Sequence, residues 1–257
     1  MDAAALLRRE RAVILAALAG VTALSWLYLV GFARDMEGMA GMAMAAAPAP
    51  WTARDAALMF LMWWVMMIGM MLPSALPMTL TFATVNRRRR ELGTPYVPTA
   101  LFVAGYVLAW GAFSVGATAL QWGLEGAALM TPMMHTSSPL LGGLLFVAAG
   151  LYQLTPLKHA CLRRCRSPLA FVLERWHDGT AGALRMGAEH GGYCLGCCAL
   201  LMALLFVGGI MNLLWVAAIA AWVLLEKVLP AGEALARGAG VLAMAFGAWM
   251  IARSVGI

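Results

Sequence analysis

Three cysteines, Cys194, Cys197 and Cys198, open the apolar run GGYCLGCCALLMALLFVGGIMNLLW. On a helix, Cys194, Cys198 and Met202 stand at i, i+4 and i+8 and share one face, with Cys197 one residue round from Cys198. Thiolates and thioethers are soft donors, which select Cu(I), zinc or iron–sulfur clusters over hard cations. A second pair, Cys161 and Cys165, lies four residues apart in TPLKHACLRRCRSP with His159 just upstream, a spacing that turns both sulfurs toward one ion on a helix. The five cysteines are an odd number, which argues against a simple disulfide framework. Cu(I) is the expected ion. Zinc is the alternative if His159, His177 or His190 joins the cysteines.

Methionine is the other unusual donor, with 20 residues. Met59, Met62, Met66 and Met70 recur every three or four positions and make a helical stripe, with Met67, Met71 and Met78 beside it. A methionine stripe ordinarily fills gaps in a core. Here Pro73 and Pro77 follow it. Each removes a backbone donor, so a broken helix with freed carbonyls is expected, and Met66 and Met70 become candidate ligands along a pathway. Further methionines lie between apolar runs: Met36, Met39, Met42 and Met44 in RDMEGMAGMAMAAAPAPWTARD, and Met130, Met133 and Met134 beside His135 in MTPMMH.

The elements that must position these donors are membrane helices. The chain of 257 residues is 63% hydrophobic and 12% charged, whereas a soluble domain is about 45–50% apolar and about 25% charged. The expected fold is all-α: a single polytopic bundle over residues 1–257 with about seven spans of about 20 residues. The spans are expected at 12–33, 56–85, 97–121, 139–155, 192–207, 211–229 and 238–255, with a Met-rich loop at 34–55 and a Cys/His-rich loop at 156–191. The first span competes with a signal peptide, but it is longer than an h-region of about 7–15 residues and no small-residue cleavage site directly follows it.

Charge sets the expected orientation. With the N-terminus cytoplasmic and the C-terminus outside, only Arg34, Arg54 and Arg253 of the 18 Lys and Arg residues face outward, as the positive-inside rule requires. The net charge of +6 is then explained by orientation and lipid head groups, and without a nucleic-acid-reading module it does not imply nucleic acid. The same topology puts the methionine loops in an oxidising space, where thioethers need no deprotonation, and the cysteines on the reducing side.

Several stretches together, MWWVMMIGMMLPSALPM, TPLKHACLRRCRSP, GGYCLGCCALLMALLFVGGIMNLLW and the Glu226–Lys227 pair, resemble an uncharacterised bacterial family described as predicted metal-binding integral membrane proteins. The resemblance covers most of residues 55–230, with the motifs in the same order. It implies a multi-pass protein of the bacterial inner membrane with a metal site carried by Cys161, Cys165, Cys194, Cys197 and Cys198. The 34–50 loop and the seventh span lie outside the matching part.

The functional expectation is copper(I) handling (transport, storage or delivery to a membrane enzyme) with the lipid bilayer and a membrane enzyme complex or metallochaperone as partners. No GxxxxGK[ST] motif is present, so any transport is passive or coupled to something else. Two other readings compete: a thiol-redox enzyme using the CxxCC cysteines, and a structural accessory subunit of a membrane complex.

Overall fold

A computed structural model describes the backbone of residues 3–43, 51–131 and 134–256, and their side chains except those of 3–7, 37 and 39–43. Ten helices follow one another among these residues: α1 (Ala3–Ala43), α2 (Ala53–Glu91), α3 (Thr99–Gly126), α4 (Pro139–Gln153), α5 (Pro156–Arg166), α6 (Pro168–Glu174), α7 (Gly179–Ala203), α8 (Leu205–Gly208), α9 (Leu213–Val228) and α10 (Gly232–Ser254). The described residues contain no β-strand, only an isolated bridge between Met130 and Thr136. The fold is all-α.

Several helix starts are written in local chemistry. Thr52 and Asp55 form a capping box at the start of α2, each side chain satisfying the other's backbone N–H. Ser138 caps α4 and Thr155 caps α5, in both cases with proline at the first helical position, where a missing N–H costs nothing. Asn212 caps α9 by accepting the Trp215 N–H.

Five helical stretches are long and apolar enough to cross a membrane: Arg8–Met36, Ala53–Glu91, Thr99–Gly126, Gly179–Gly208 and Gly232–Ser254. A sixth arises if α4 and α5, bent by 65° at their junction, count as one span. Each of the seven expected spans coincides with a helix. α9, however, has only 16 residues, or about 24 Å at 1.5 Å per residue, short of a hydrocarbon core of about 30 Å. Large apolar side chains such as Leu24, Leu27, Leu242 and Trp249 stand exposed on α1 and α10, a surface suited to lipid.

Three boundaries differ from the sequence expectation. α2 is continuous: Pro73 and Pro77 lie inside one helix of 39 residues rather than breaking it. Ser74 Oγ donates to the Met71 carbonyl, Thr79 Oγ1 to that of Ala75 and Thr81 Oγ1 to that of Pro77, so three hydroxyls turn back onto the helix beside the prolines, while packing against α1, α3 and α9 holds the segment helical through them. α1 runs on through Met36 to Ala43, because Ala, Met and Glu are good helix formers and outweigh the glycines. Met36 is half-buried against the core; the side chains of Met39, Met42, Met44 and Met133 lie outside the described residues. α7 begins at Gly179, well before the expected 192, so the cysteines sit inside a long helix and not at its mouth.

Glycine sets the closest packing. α3 and α7 are in extensive contact, and a Cβ at Gly187 would collide with the Phe102 carbonyl, one at Gly191 with Ala109, and one at Gly105 with the Leu184 carbonyl. This is the small-residue seam by which apolar helices approach backbone to backbone. Gly143 and Gly150 do the same between α4 and α10. The α3–α7 seam brings Tyr106 to the cysteines.

Candidate metal centre

The sulfur atoms of Cys194, Cys197 and Cys198 lie within 4.8 Å of one another, and all three residues are buried. The helix explains the grouping: three residues one turn apart project to one side, and the Cys197 and Cys198 thiols both point back to the Cys194 carbonyl at 3.1 and 2.9 Å. A metal–sulfur bond of about 2.3 Å would hold three trigonal sulfurs about 4 Å apart, which is the scale of the cluster. The donor set fits a soft ion. It is all sulfur, it is dry, and no carboxylate or imidazole stands within the group.

The other expected residues divide. Cys165 places its sulfur 4.0 Å from that of Cys197, joining α5 to the cluster. Cys161, one turn earlier on α5, is the one half-buried cysteine of the five. A Cβ on Gly196 would lie 2.6 Å from the Cys161 sulfur, so this thiol rests against bare α7 backbone. The Tyr152 hydroxyl donates to the Gly196 carbonyl and closes the same junction. Met202, Met66 and Met70 are buried and share one apolar core with the three cysteines, together with Met62, Met67 and Met71. His159 is buried on α5 with both ring nitrogens unpartnered, outside the three-sulfur group. His135 is part-buried and turns Nδ1 to the Thr136 carbonyl; His177 faces Glu189 at 3.9 Å.

Two groups stand at the cluster that sequence reasoning did not place in the site: Lys227, noted there only as part of the Glu226–Lys227 pair, and Tyr106. The part-buried Lys227 donates to Cys194 Sγ at 2.9 Å and to Ser74 Oγ at 2.8 Å. Among the described residues no carboxylate pairs with it. Its ammonium is the electrostatic complement of a metal thiolate, supplied from α9. The Tyr106 hydroxyl lies 3.1 Å from Cys194 Sγ and donates to the Met71 carbonyl at 3.2 Å, tying α3, α7 and the methionine helix together. Lys227 follows VLLE and precedes VLP, and at the end of so apolar a run a lysine ordinarily reads as the basic end of a span.

The preceding residue, Glu226, turns the other way. Its Oε2 accepts from Lys158 Nζ at 2.6 Å, and its Oε1 accepts from Gln153 Nε2 at 2.8 Å and Trp222 Nε1 at 2.6 Å. Lys158 is 0% and Glu226 2% exposed, so a complete ion pair is sealed between α5 and α9 beside the sulfur site.

The described residues form an all-helical chain with membrane-length apolar helices around a buried three-thiol cluster, a donor set that fits a soft metal. The chain belongs to the PpoB2 family, described as a copper chaperone, whose model matches residues 60–250. The match takes in every cysteine and reaches into α10, beyond the part covered by the resemblance seen in the sequence. No curated protein and no solved structure matches the chain.

Proposed function

We propose that this protein holds Cu(I) within the bacterial cytoplasmic membrane and passes it to a membrane enzyme or a second copper carrier. Copper is the cargo. Cys194, Cys197 and Cys198 hold it, and the observation that carries this reading is their mutual approach within 4.8 Å in a dry, all-sulfur pocket, within a family described as a copper chaperone. Met66, Met70 and Met202 offer weaker, exchangeable donors in the same core. Cys165, 4.0 Å from Cys197, and then the half-buried Cys161, one turn nearer the start of α5, form a thiol route by ligand exchange out of the buried cluster. Thiol ligands must lose their protons to bind, and the Lys227 ammonium offsets part of the charge that collects there.

In this reading the chain is a single seven-crossing membrane domain, N-terminus cytoplasmic and C-terminus outside, in which the short α9 crosses together with the residues that flank it, 211–229. The exposed apolar faces of α1 and α10 and the distribution of Lys and Arg support it. Zinc remains the alternative cargo. It is less favoured because no histidine stands among the three clustered thiols.

The test is metal content by mass spectrometry on protein purified in mild detergent under anaerobic, reducing conditions, with copper supplied during growth. About one copper per chain is expected, lost in a Cys194→Ser/Cys198→Ser variant. Zinc in place of copper, or equal metal in both proteins, overturns the reading.

A further inference from the structure

The buried face of α7 continues beyond the cysteines. Met186, His190, Cys194, Cys198 and Met202 follow one another at four-residue intervals, and all five are buried. At 1.5 Å per residue the rungs rise about 6 Å each and the whole row spans about 24 Å, most of a hydrocarbon core of about 30 Å. Every rung carries a donor that Cu(I) accepts: thioether, imidazole, thiol, thiol, thioether.

His190 is the one nitrogen-bearing rung, and among the described residues its ring makes no hydrogen bond. It is 3% exposed, and its Nδ1 is buried with no partner, a state that native structures seldom leave unexplained. The ring is held on three sides. It stacks on Tyr106 at 5.4 Å and on Phe102 at 6.1 Å, and it packs against Phe171 at 5.7 Å. Tyr106 is the same residue whose hydroxyl reaches Cys194 Sγ. His190 therefore sits between two apolar cores. One contains the cysteines; the other contains Phe102, Phe171, Met186 and Met78. Met186 already shows its thioether to a donor, accepting the His177 N–H at 3.4 Å.

We propose that His190 is a further copper ligand, the transfer stop between Cys194 and Met186, and that Cu(I) moves along the α7 ladder rather than resting only at the cysteines. In the step, one Cu–S bond to Cys194 is replaced by one Cu–N bond to His190 Nδ1. No electron moves and no proton is required: the Cys194 thiolate left behind keeps the Lys227 ammonium 2.9 Å away. The proposal rests on the three-cysteine reading and extends it from a holding site to a path.

The chain holds four histidines, so selective labelling makes each one visible. Full-length protein in lipid nanodiscs, with 15N-labelled histidine, is titrated anaerobically with Cu(I), and His190 is assigned by the resonance lost in His190→Gln. The first equivalent fills the three cysteines, read as loss of free thiols. Further Cu(I) shifts the His190 Nδ1 resonance. In His190→Phe, which keeps the ring stacking, the first equivalent still fills the three cysteines, while its release to a soluble Cu(I) chelator slows about tenfold or more. If the first equivalent does not bind, the three-cysteine reading itself fails. If it binds, but the His190 resonance stays in place and release is unaltered, the ladder is wrong. If neither His190 variant folds, His190 is assigned by elimination from His135→Gln, His159→Gln and His177→Gln, and the wild-type shift still decides.

Discussion

Glu226 and Lys227 are consecutive on α9, yet they end in opposite electrostatic situations. Glu226 is closed: Lys158 neutralises it, and Gln153 and Trp222 fill one oxygen. Lys227 is open: its partners are a hydroxyl and a thiol, and among the described residues no carboxylate balances it. A helix turns about 100° per residue, so two neighbouring charges serve two different cores. The contrast separates a charge that holds helices together from one that waits for a charge to arrive. A buried pair that is complete is poor evidence of activity and a strong constraint on the fold. An ammonium beside a buried thiol cluster is the reverse.

That difference can be broken from either side. Glu226→Gln leaves Lys158 buried without its counter-charge. It should cost about 3–5 kcal/mol, the usual penalty for removing half of a buried pair, seen as a large fall in thermal stability in detergent, while folded molecules keep their copper. Replacing both Lys158 and Glu226 by Met should recover part of that loss, since only Gln153 and Trp222 then lack an acceptor. Lys227→Met should do the opposite: little change in melting temperature, but copper affinity weaker by about tenfold or more, the scale of one charged hydrogen bond of about 1.5–3 kcal/mol, measured by competition with a Cu(I) chelator. If Lys227→Met melts the protein and Glu226→Gln strips the metal, the assignment of roles is inverted. Tyr106→Phe removes the hydroxyl that touches both the Met71 carbonyl and Cys194. About 0.5–1.5 kcal/mol of stability should go with it, with copper retained. Glu10→Gln breaks an exposed contact to Arg87 at 3.1 Å and should change stability by less than about 1 kcal/mol and copper binding not at all; it is the reference against which the other variants are read.

Much of this was legible in the sequence. Apolar runs located each long helix, and the i, i+4, i+8 spacing put Cys194, Cys198 and Met202 on one buried face. What stayed hidden depends on distance along the chain. Lys158 and Glu226 lie in separate motifs, and nothing local says that they meet. Lys227 reads as the basic end of a span until Cys194 is placed beside it. The early start of α7 was hidden for another reason. GTAGALRMGAEHGG is too polar and glycine-rich to look like a membrane helix, but its glycines are contact points for α3 and not breaks. The continuity of α2 across Pro73 and Pro77 likewise depends on packing against α1, α3 and α9, which are distant in the chain. His159 shows the converse limit: its place beside Cys161 in the sequence suggested a shared ion, and the helix turns it elsewhere.

The bare backbone at Gly196 has a consequence for time rather than affinity. The Cys161 thiol lies where a side chain at 196 would be, so its approach to α7 depends on the absence of a single methyl group. In the proposed exchange route, Gly196→Ala pushes the Cys161 thiol away from α7 and leaves the three clustered cysteines in place. Copper per chain should stay the same, and its dwell time on the protein should lengthen. The duration of custody, as distinct from its strength, is then set by the one residue of the CLGCC motif that has no side chain.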